Sequence, residues 1–228
     1  MKYLKILFRI IRKILHLNYL YISVATLYSR GKKINSLQKN GQDALVILKD
    51  ALNSIKCNYW LEFGTLLGAY RDQGFIKNDF DIDVGVYSNS NISEIDVILR
   101  KTGFEKIKEV KNINSQLLEI SYKYKNVHID IIIFYIINNK AICYLYTIPQ
   151  ETFKEIVKPQ TYAVKFTFSK FELTEIPFLN SMYSIPKNVE IHLGEVYGDK
   201  FMERNQKWDD NMSPNRIVTL DKVIVKTY

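Results

Sequence analysis

Apolar residues recur at two different periods along this chain, and the change of period divides it. In the first 55 residues the spacing is helical. Leu4, Leu7, Phe8, Ile11 and Leu15 line one face of the opening segment, and Leu45, Leu48, Leu52 and Ile55 line one face of the stretch 43–57. Between these, "GKKINSLQKNGQD" (31–43) reads as a polar connector. From Tyr59 onward short apolar runs bounded by turn residues take over. "YWLEFG" predicts a strand ending at Gly64, "TLLGAYRDQ" a helix starting at the Gly-Thr turn and broken near Gly74, and "FDIDVGVY" a second strand. "NISEIDVILRKTG" predicts a helix with Asn91 or Ser93 as its N-cap and Gly103 just past its end. "LLEISYKY" and "VHIDIIIFYII" pair across a turn at Lys125-Asn126, and "KAICYLYTI" adds a further strand. "KFTFSKFELTEIPFL" reads as a hairpin or meander, Pro186 opens a last helix, and "WDDNMSPNRIV" reads as loop. The sum is an α+β protein with a mixed sheet and helices mainly on one face.

Composition adds little until the charge is located. The chain has 228 residues, 47% hydrophobic, and a net charge of +8, so one domain with an appendage suits it. Eight Lys or Arg and no acid precede residue 34, whereas the remainder holds 24 basic and 24 acidic residues. All of the excess therefore sits in an arm, residues 1–33, ahead of a neutral body, residues 34–228. A nucleic-acid binder carries its positive surface on the folded domain, so nucleic acid is not the expected partner. The 16 uncharged residues between Lys13 and Arg30 would make a helix of about 24 Å, short of the hydrocarbon core. Charge recurs through Lys13 and no small-residue cleavage site follows, which disfavours a secretory leader. The arm is expected to be an amphipathic helix, either lying on an anionic membrane surface or packed on the domain. Cys57 and Cys143 stand far apart and match no metal-ligand spacing, consistent with a reducing compartment.

Three carboxylates carry the candidate chemistry. Asp81 and Asp83 alternate in a β-branched run, so a strand points both to one side, where like charges repel unless a cation intervenes. Asp130 lies inside the apolar "VHIDIIIFY" and needs a partner. If the two strands are neighbours, three carboxylates meet and form an oxygen-only site suited to Mg²⁺ or Mn²⁺. Gly64 and Thr65, at the start of a helix, offer backbone N–H groups and a hydroxyl to a phosphate, and Arg71 offers a fork of donors. The remaining polar residues have plainer readings. His128 shares a strand face with Asp130 and reads first as a sheet histidine, second as a contact of the site; His16 and His192 read as helix surface. Glu62 is a supporting partner or a polar-face residue. Tyr197 and Trp208 pack the C-terminal helix.

The order of strand, Gly-Thr, helix, Asp-x-Asp strand and a later Asp-bearing strand resembles the nucleotidyltransferase superfamily. Within it, "FGTLLGAYRDQGFIKNDFDIDVGVY" looks like the signature of the LicD/fukutin family, and "IPKNVEIHLGEVYGDKFMERNQKWDDNMSPN" looks like that family's end, with its Tyr197-Gly198-Asp199 and its Trp208-Asp209 pair. The likeness covers about Asn35 to Asn215. There are departures: Asp72-Gln73-Gly74 stands where bacterial members often carry His-Gly-Gly, and Asn78-Asp79-Phe80-Asp81 where Trp-Asp-Asp-Asp is usual. Phe80 removes one acid.

The resemblance implies transfer of a phosphorylated alcohol (phosphocholine, ribitol phosphate or glycerol phosphate) from a CDP-activated donor to a sugar hydroxyl of a cell-surface glycan, with release of CMP. Asp81 and Asp83 would hold metal against the donor diphosphate. Asp130 would bind metal and orient or deprotonate the acceptor. Gly64 and Thr65 would cradle phosphate, and Arg71 would offset charge on the leaving CMP. The acceptor would be a glycan or lipid-linked sugar, with the protein peripheral on the inner face of the plasma membrane. The alternatives are a nucleotidyltransferase that moves NMP from an NTP and releases pyrophosphate, and a non-catalytic binding module.

Overall fold

A computed structural model describes residues 2–147, 161–204, 208 and 210–228, and the side chains of all of these except 2–27, 147, 210 and 220. The chain opens with one helix, α1 (Lys2–Ser54), that runs without a break through the segment expected to be a connector. Packing explains the difference. Leu37, Leu45, Leu48 and Leu52 are fully buried at helical spacing, so the core face begins inside the polar stretch. Gly41 does not break the helix, because a Cβ there would meet the Phe75 ring at 2.7 Å; the missing side chain admits that ring. The boundary placed at residue 33 thus falls within a continuous helix. The expected apolar and basic faces of residues 2–16, His16 among them, lie outside the described side chains. Among the described residues no helix is long and apolar enough to cross a membrane.

Short elements follow: β1 (Tyr59–Leu61), α2 (Phe63–Leu67) running into a π-helical turn (Gly68–Asp72), β2 (Asp81–Tyr87) and α3 (Ile92–Lys101). Asn91 caps α3 by accepting from Glu94 N, and Gly103 lies just beyond its end at φ +93°. Then come β3 (Glu105–Asn112), β4 (Leu117–Tyr124), β5 (Val127–Ile137) and β6 (Lys140–Thr147). β4 and β5 pair antiparallel, with Tyr124 opposite Val127 across Lys125-Asn126, both at positive φ. That geometry is a tight hairpin turn.

Beyond the undescribed residues 148–160 lie β7 (Tyr162–Ser169), β8 (Leu173–Phe178), β9 (Ser181–Pro186), α4 (Val189–Tyr197) and β10 (Ile217–Thr227). β7 and β8 do not form the expected hairpin. β7 joins the large sheet between β6 and β10, while β8 pairs with β9 in a separate two-stranded sheet. Pro186 ends β9 and does not open α4, whose N-cap is Asn188.

The large mixed sheet has the order β1-β2-β5-β4-β3-β10-β7-β6. Its β2–β5 pair is parallel and the other strand pairs described are antiparallel. The end of β5 also pairs with β6, so the pairings lead from β5 through β4, β3, β10, β7 and β6 back to β5. Strand alternation then sorts the residues. Ile82, Val84 and Val86 of β2, with Ile129, Ile131 and Ile133 of β5, pack under α1 and α3 in the main core. On the reverse face Ile132 and Phe134 join Trp60, Phe166 and Phe168 in a second core. The same reverse face, closer to the starts of β2 and β5, carries the acids.

Candidate active site

Parallel pairing sets β2 beside β5 so that Asp83 is the register partner of Asp130, and Asp81 that of His128. One carboxylate oxygen from each of Asp81, Asp83 and Asp130 lies within 4.8 Å of the other two. β2 and β5 are neighbours, which meets the condition on which the sequence reading brought these three acids together. Burial pushes the Asp81 carboxyl well above the usual carboxylate range, reinforced by the charges of Asp130 and Asp79. Burial acts likewise on Asp83, followed by repulsion from Asp81 and Asp130. An all-oxygen, mutually repelling donor set of this kind fits a hard divalent cation such as Mg²⁺ or Mn²⁺.

Thr65 and Gly64 reach this cluster by another route than expected. α2 starts at Phe63, not at the Gly-Thr turn, and its N-cap Glu62 accepts from Phe63 N. Gly64 and Thr65 therefore lie within the first turn, whose N–H groups have no carbonyl partner inside the helix. Thr65 is buried, and its hydroxyl accepts the backbone N–H of Asp83 at 2.9 Å, tying α2 to the acidic strand. A Cβ on Gly64 would meet Asp79 Oδ2 at 2.5 Å, so only glycine leaves room for that carboxylate. Asp79 also hydrogen-bonds Asp81. It belongs to the acidic cluster despite the aromatic residue that follows it.

Arg71 is held elsewhere. Its Nε and Nη2 donate to the two oxygens of Asp72 at 3.1 and 2.9 Å, and Nη1 donates to the Phe201 carbonyl at 3.1 Å. Those Arg71 hydrogen bonds lower the pKa of the Asp72 carboxyl, with Arg204 adding to the effect. The guanidinium fork expected on phosphate oxygens thus binds a carboxylate and a carbonyl.

Further polar residues of the site came without a sequence signal. Glu119 of β4 is buried and ion-paired to Lys108 Nζ at 2.6 Å, and it accepts from Ser121, the register partner of Asp130. Burial and the charge of Asp130 raise the Glu119 carboxyl to about 7 despite the ion pair. Burial works against the Lys108 charge, yet Asp130 and Glu119 hold its pKa above the usual lysine range. The alternation Glu119-x-Ser121 was visible in "LLEISYKY" but unremarkable until β4 was placed beside β5. His128 shares the face of Asp130, and burial together with the charge of Lys33 lowers it to about 4.

His192, read as helix surface, proves internal, and Glu62, read as a supporting partner or a polar-face residue, is its buried partner. His192 is buried, its ring stacked on Phe168 at 4.3 Å, and its Nε2 lies 2.7 Å from Glu62 Oε1. Glu62 is itself fully buried and accepts the Trp60 indole N–H at 2.7 Å. The helix that carries His192 packs that face inward, which its spacing alone did not reveal. Tyr197 and Trp208 do pack together, with ring centroids 4.6 Å apart. Asp209, the other half of the expected pair, lies outside the described residues.

Comparison with known proteins adds an independent line. A ribitol-5-phosphate transferase, FKTN, of Mus musculus is 24% identical over 186 residues, 79% of this chain and 37% of that protein. The Homo sapiens protein of the same name is 23% identical over 188 residues, 80% of this chain and 37% of its own length. An uncharacterized protein of Rickettsia prowazekii (strain Madrid E) is 45% identical over 62 residues, 27% of this chain and 22% of that protein. The chain thus spans little more than a third of the length of the FKTN relatives it matches. Residues 56–188, which hold β1, the acidic strands β2 and β5, and the strands that support them, match the description LicD/FKTN/FKRP, nucleotidyltransferase domain; the chain belongs to this family.

Proposed function

We propose that this protein transfers a phosphorylated alcohol, ribitol phosphate first among the candidates, from a CDP-activated donor to a sugar hydroxyl of a glycan. The acceptor oxygen forms a bond to the donor phosphorus that carries the alcohol. The bridging P–O bond breaks, CMP leaves with the bond's electron pair, and the acceptor's proton passes to a carboxylate. What carries this reading is the convergence of Asp81, Asp83 and Asp130 within 4.8 Å on a chain of this family. The three carboxylates would hold Mg²⁺ or Mn²⁺, which supplies charge neutralisation and polarises the donor diphosphate.

The chain's own residues do the rest. Asp130, with Ser121 beside it, orients the acceptor hydroxyl and takes its proton. The first turn of α2, at Gly64 and Thr65, presents N–H groups to phosphate oxygens. The Thr65 hydroxyl fixes the backbone of Asp83 and through it the acidic face. Arg71 takes a positioning role, fastening Asp72 to the Phe201 segment, rather than meeting the leaving CMP. The fold would be a nucleotidyltransferase-like domain, residues 34–228, with the basic arm, residues 1–33, at an anionic membrane face on the cytoplasmic side. The arm's charge supports that placement and suits an acceptor carried on a lipid.

The test is incubation of the full chain with CDP-ribitol, CDP-choline or CDP-glycerol, a glycan acceptor and Mg²⁺ or Mn²⁺. CMP release that is lost in Asp81→Asn and Asp83→Asn supports the reading. Pyrophosphate release from an NTP would establish the nucleotidyltransferase alternative instead. Wild-type CMP release by either variant would refute the site.

A further inference from the structure

Among the arm's cations with described side chains, two are turned toward the domain. Arg30 and Lys33, one helical turn apart on α1, place their charged groups 5.3 and 5.5 Å from the centroid of the same ring, that of Phe80. Phe80 is the residue immediately before Asp81, where β2 begins. A guanidinium and an ammonium that share one ring lose rotamer freedom, which holds their charge beside the start of the acidic strand. Lys32 and Lys39 occupy a different face of the same helix, exposed, and line a shallow cleft of about 530 Å³ with Lys125.

We propose that Arg30, Lys33 and Phe80 form a cationic lip of the active site, where the two charges receive the diphosphate of the activated donor and Phe80 is their platform. The proposal rests on the reading of Asp81, Asp83 and Asp130 as the reaction centre and adds a substrate-binding element that the domain lacks without its N-terminal helix. The charge balance favours it. The acids Asp79, Asp81, Asp83 and Asp130 repel a polyanionic donor, and a divalent cation offsets only part of that field. A guanidinium and an ammonium at the rim lower the remaining barrier and give charge-assisted hydrogen bonds to phosphate oxygens. Between Asp79 and Asp81 the chain thus presents a cation-binding ring and not a further repelling carboxylate.

The experiment is titration calorimetry of the full chain with magnesium pyrophosphate, which carries the linkage without the alcohol or the base. CMP release from CDP-ribitol is measured in parallel, and thermal unfolding verifies each variant. The double variant Arg30→Ala/Lys33→Ala is expected to bind magnesium pyrophosphate at least about tenfold more weakly, with Mn²⁺ uptake unchanged. The double variant Lys32→Ala/Lys39→Ala, which removes equal charge from the other face, is expected to bind as wild type does. Lys33→Arg is expected to retain binding. Unweakened binding in Arg30→Ala/Lys33→Ala, equal weakening in both double variants, or no binding by wild type would each overturn the lip. Arg30- and Lys33-dependent pyrophosphate binding without CMP release from any CDP-alcohol would leave the lip standing and sink the proposed reaction.

Discussion

Asp83 of β2 and Asp130 of β5 face each other as register partners in a parallel strand pair. The pairing forces two carboxylates side by side on a half-buried sheet face, with Asp81 one step along completing the set. Stability and activity pull apart here. In metal-free protein each ionised member raises the energy of the others, whereas the proposed cation would draw on all three.

Asp83→Asn is therefore expected to stabilise the metal-free protein while abolishing its chemistry. Removing one charge from the cluster should gain about 1 kcal/mol, roughly 2–4 °C in Tm for a chain of this size. CMP release should fall about 10³-fold, the loss of several kcal/mol of transition-state stabilisation. Differential scanning calorimetry in EDTA, beside a CMP assay in Mg²⁺, checks both halves.

The raised carboxyls also set a pH dependence. A group whose folded pKa lies above its unfolded value contributes stability in full below the unfolded value and loses it as pH rises through the folded value. Asp81 and Asp83 are raised by burial and by their neighbours, and Glu119 is raised to about 7. Unfolded carboxyls titrate near about 4, so metal-free stability should fall as pH rises from about 4 through about 7. Saturating Mn²⁺ should oppose the fall, because it binds the deprotonated carboxylates and binds them better at higher pH. Tm against pH, with EDTA and with Mn²⁺, reads both curves; parallel curves would count against a metal site.

Thr65→Val keeps the shape of the side chain and removes the acceptor of Asp83 N–H. A buried N–H left without a partner costs about 1–3 kcal/mol. Denaturant unfolding should show that loss, CMP release should fall with it, and Thr65→Ser should restore both.

Glu62 and His192 form a buried pair, with Trp60 donating to the same carboxylate. His192→Ala removes one hydrogen-bond partner of the buried Glu62 carboxyl, at an expected cost of about 1–3 kcal/mol. His192→Gln, which still offers a donor, should recover part of this. Chemical denaturation of the two variants measures the difference.

Much of the acidic centre was legible because it rests on alternation. Asp81 and Asp83 share a strand face by period alone, and Asp130 is conspicuous as a charge inside "VHIDIIIFY". Whether those strands touch was not legible, because adjacency is set by a crossover through α3, β3 and β4. Glu119 and Lys108 were missed for the same reason. β3, "EKIKEVKN", carries so many charges that hydrophobic period hides it; its ion pairs and its neighbours β4 and β10 fix it instead. The polar stretch 31–43 misled in the opposite sense. Its core residue Leu37 continues a helical face that only the packing of Phe75 and the sheet makes visible.

The unbroken path of α1 has a mechanical corollary. From Lys2 to Lys33 a helix advances about 46 Å at 1.5 Å per residue, and the same rod continues into the core at Leu37 and Leu45. Anything the first turns held would thereby be spaced from the acidic cluster by a ruler, not a tether. If the arm anchors the protein as proposed, inserting a flexible glycine-serine run before Tyr28 would uncouple that anchoring from turnover, and the reach of the acidic cluster would change with the number of helical turns.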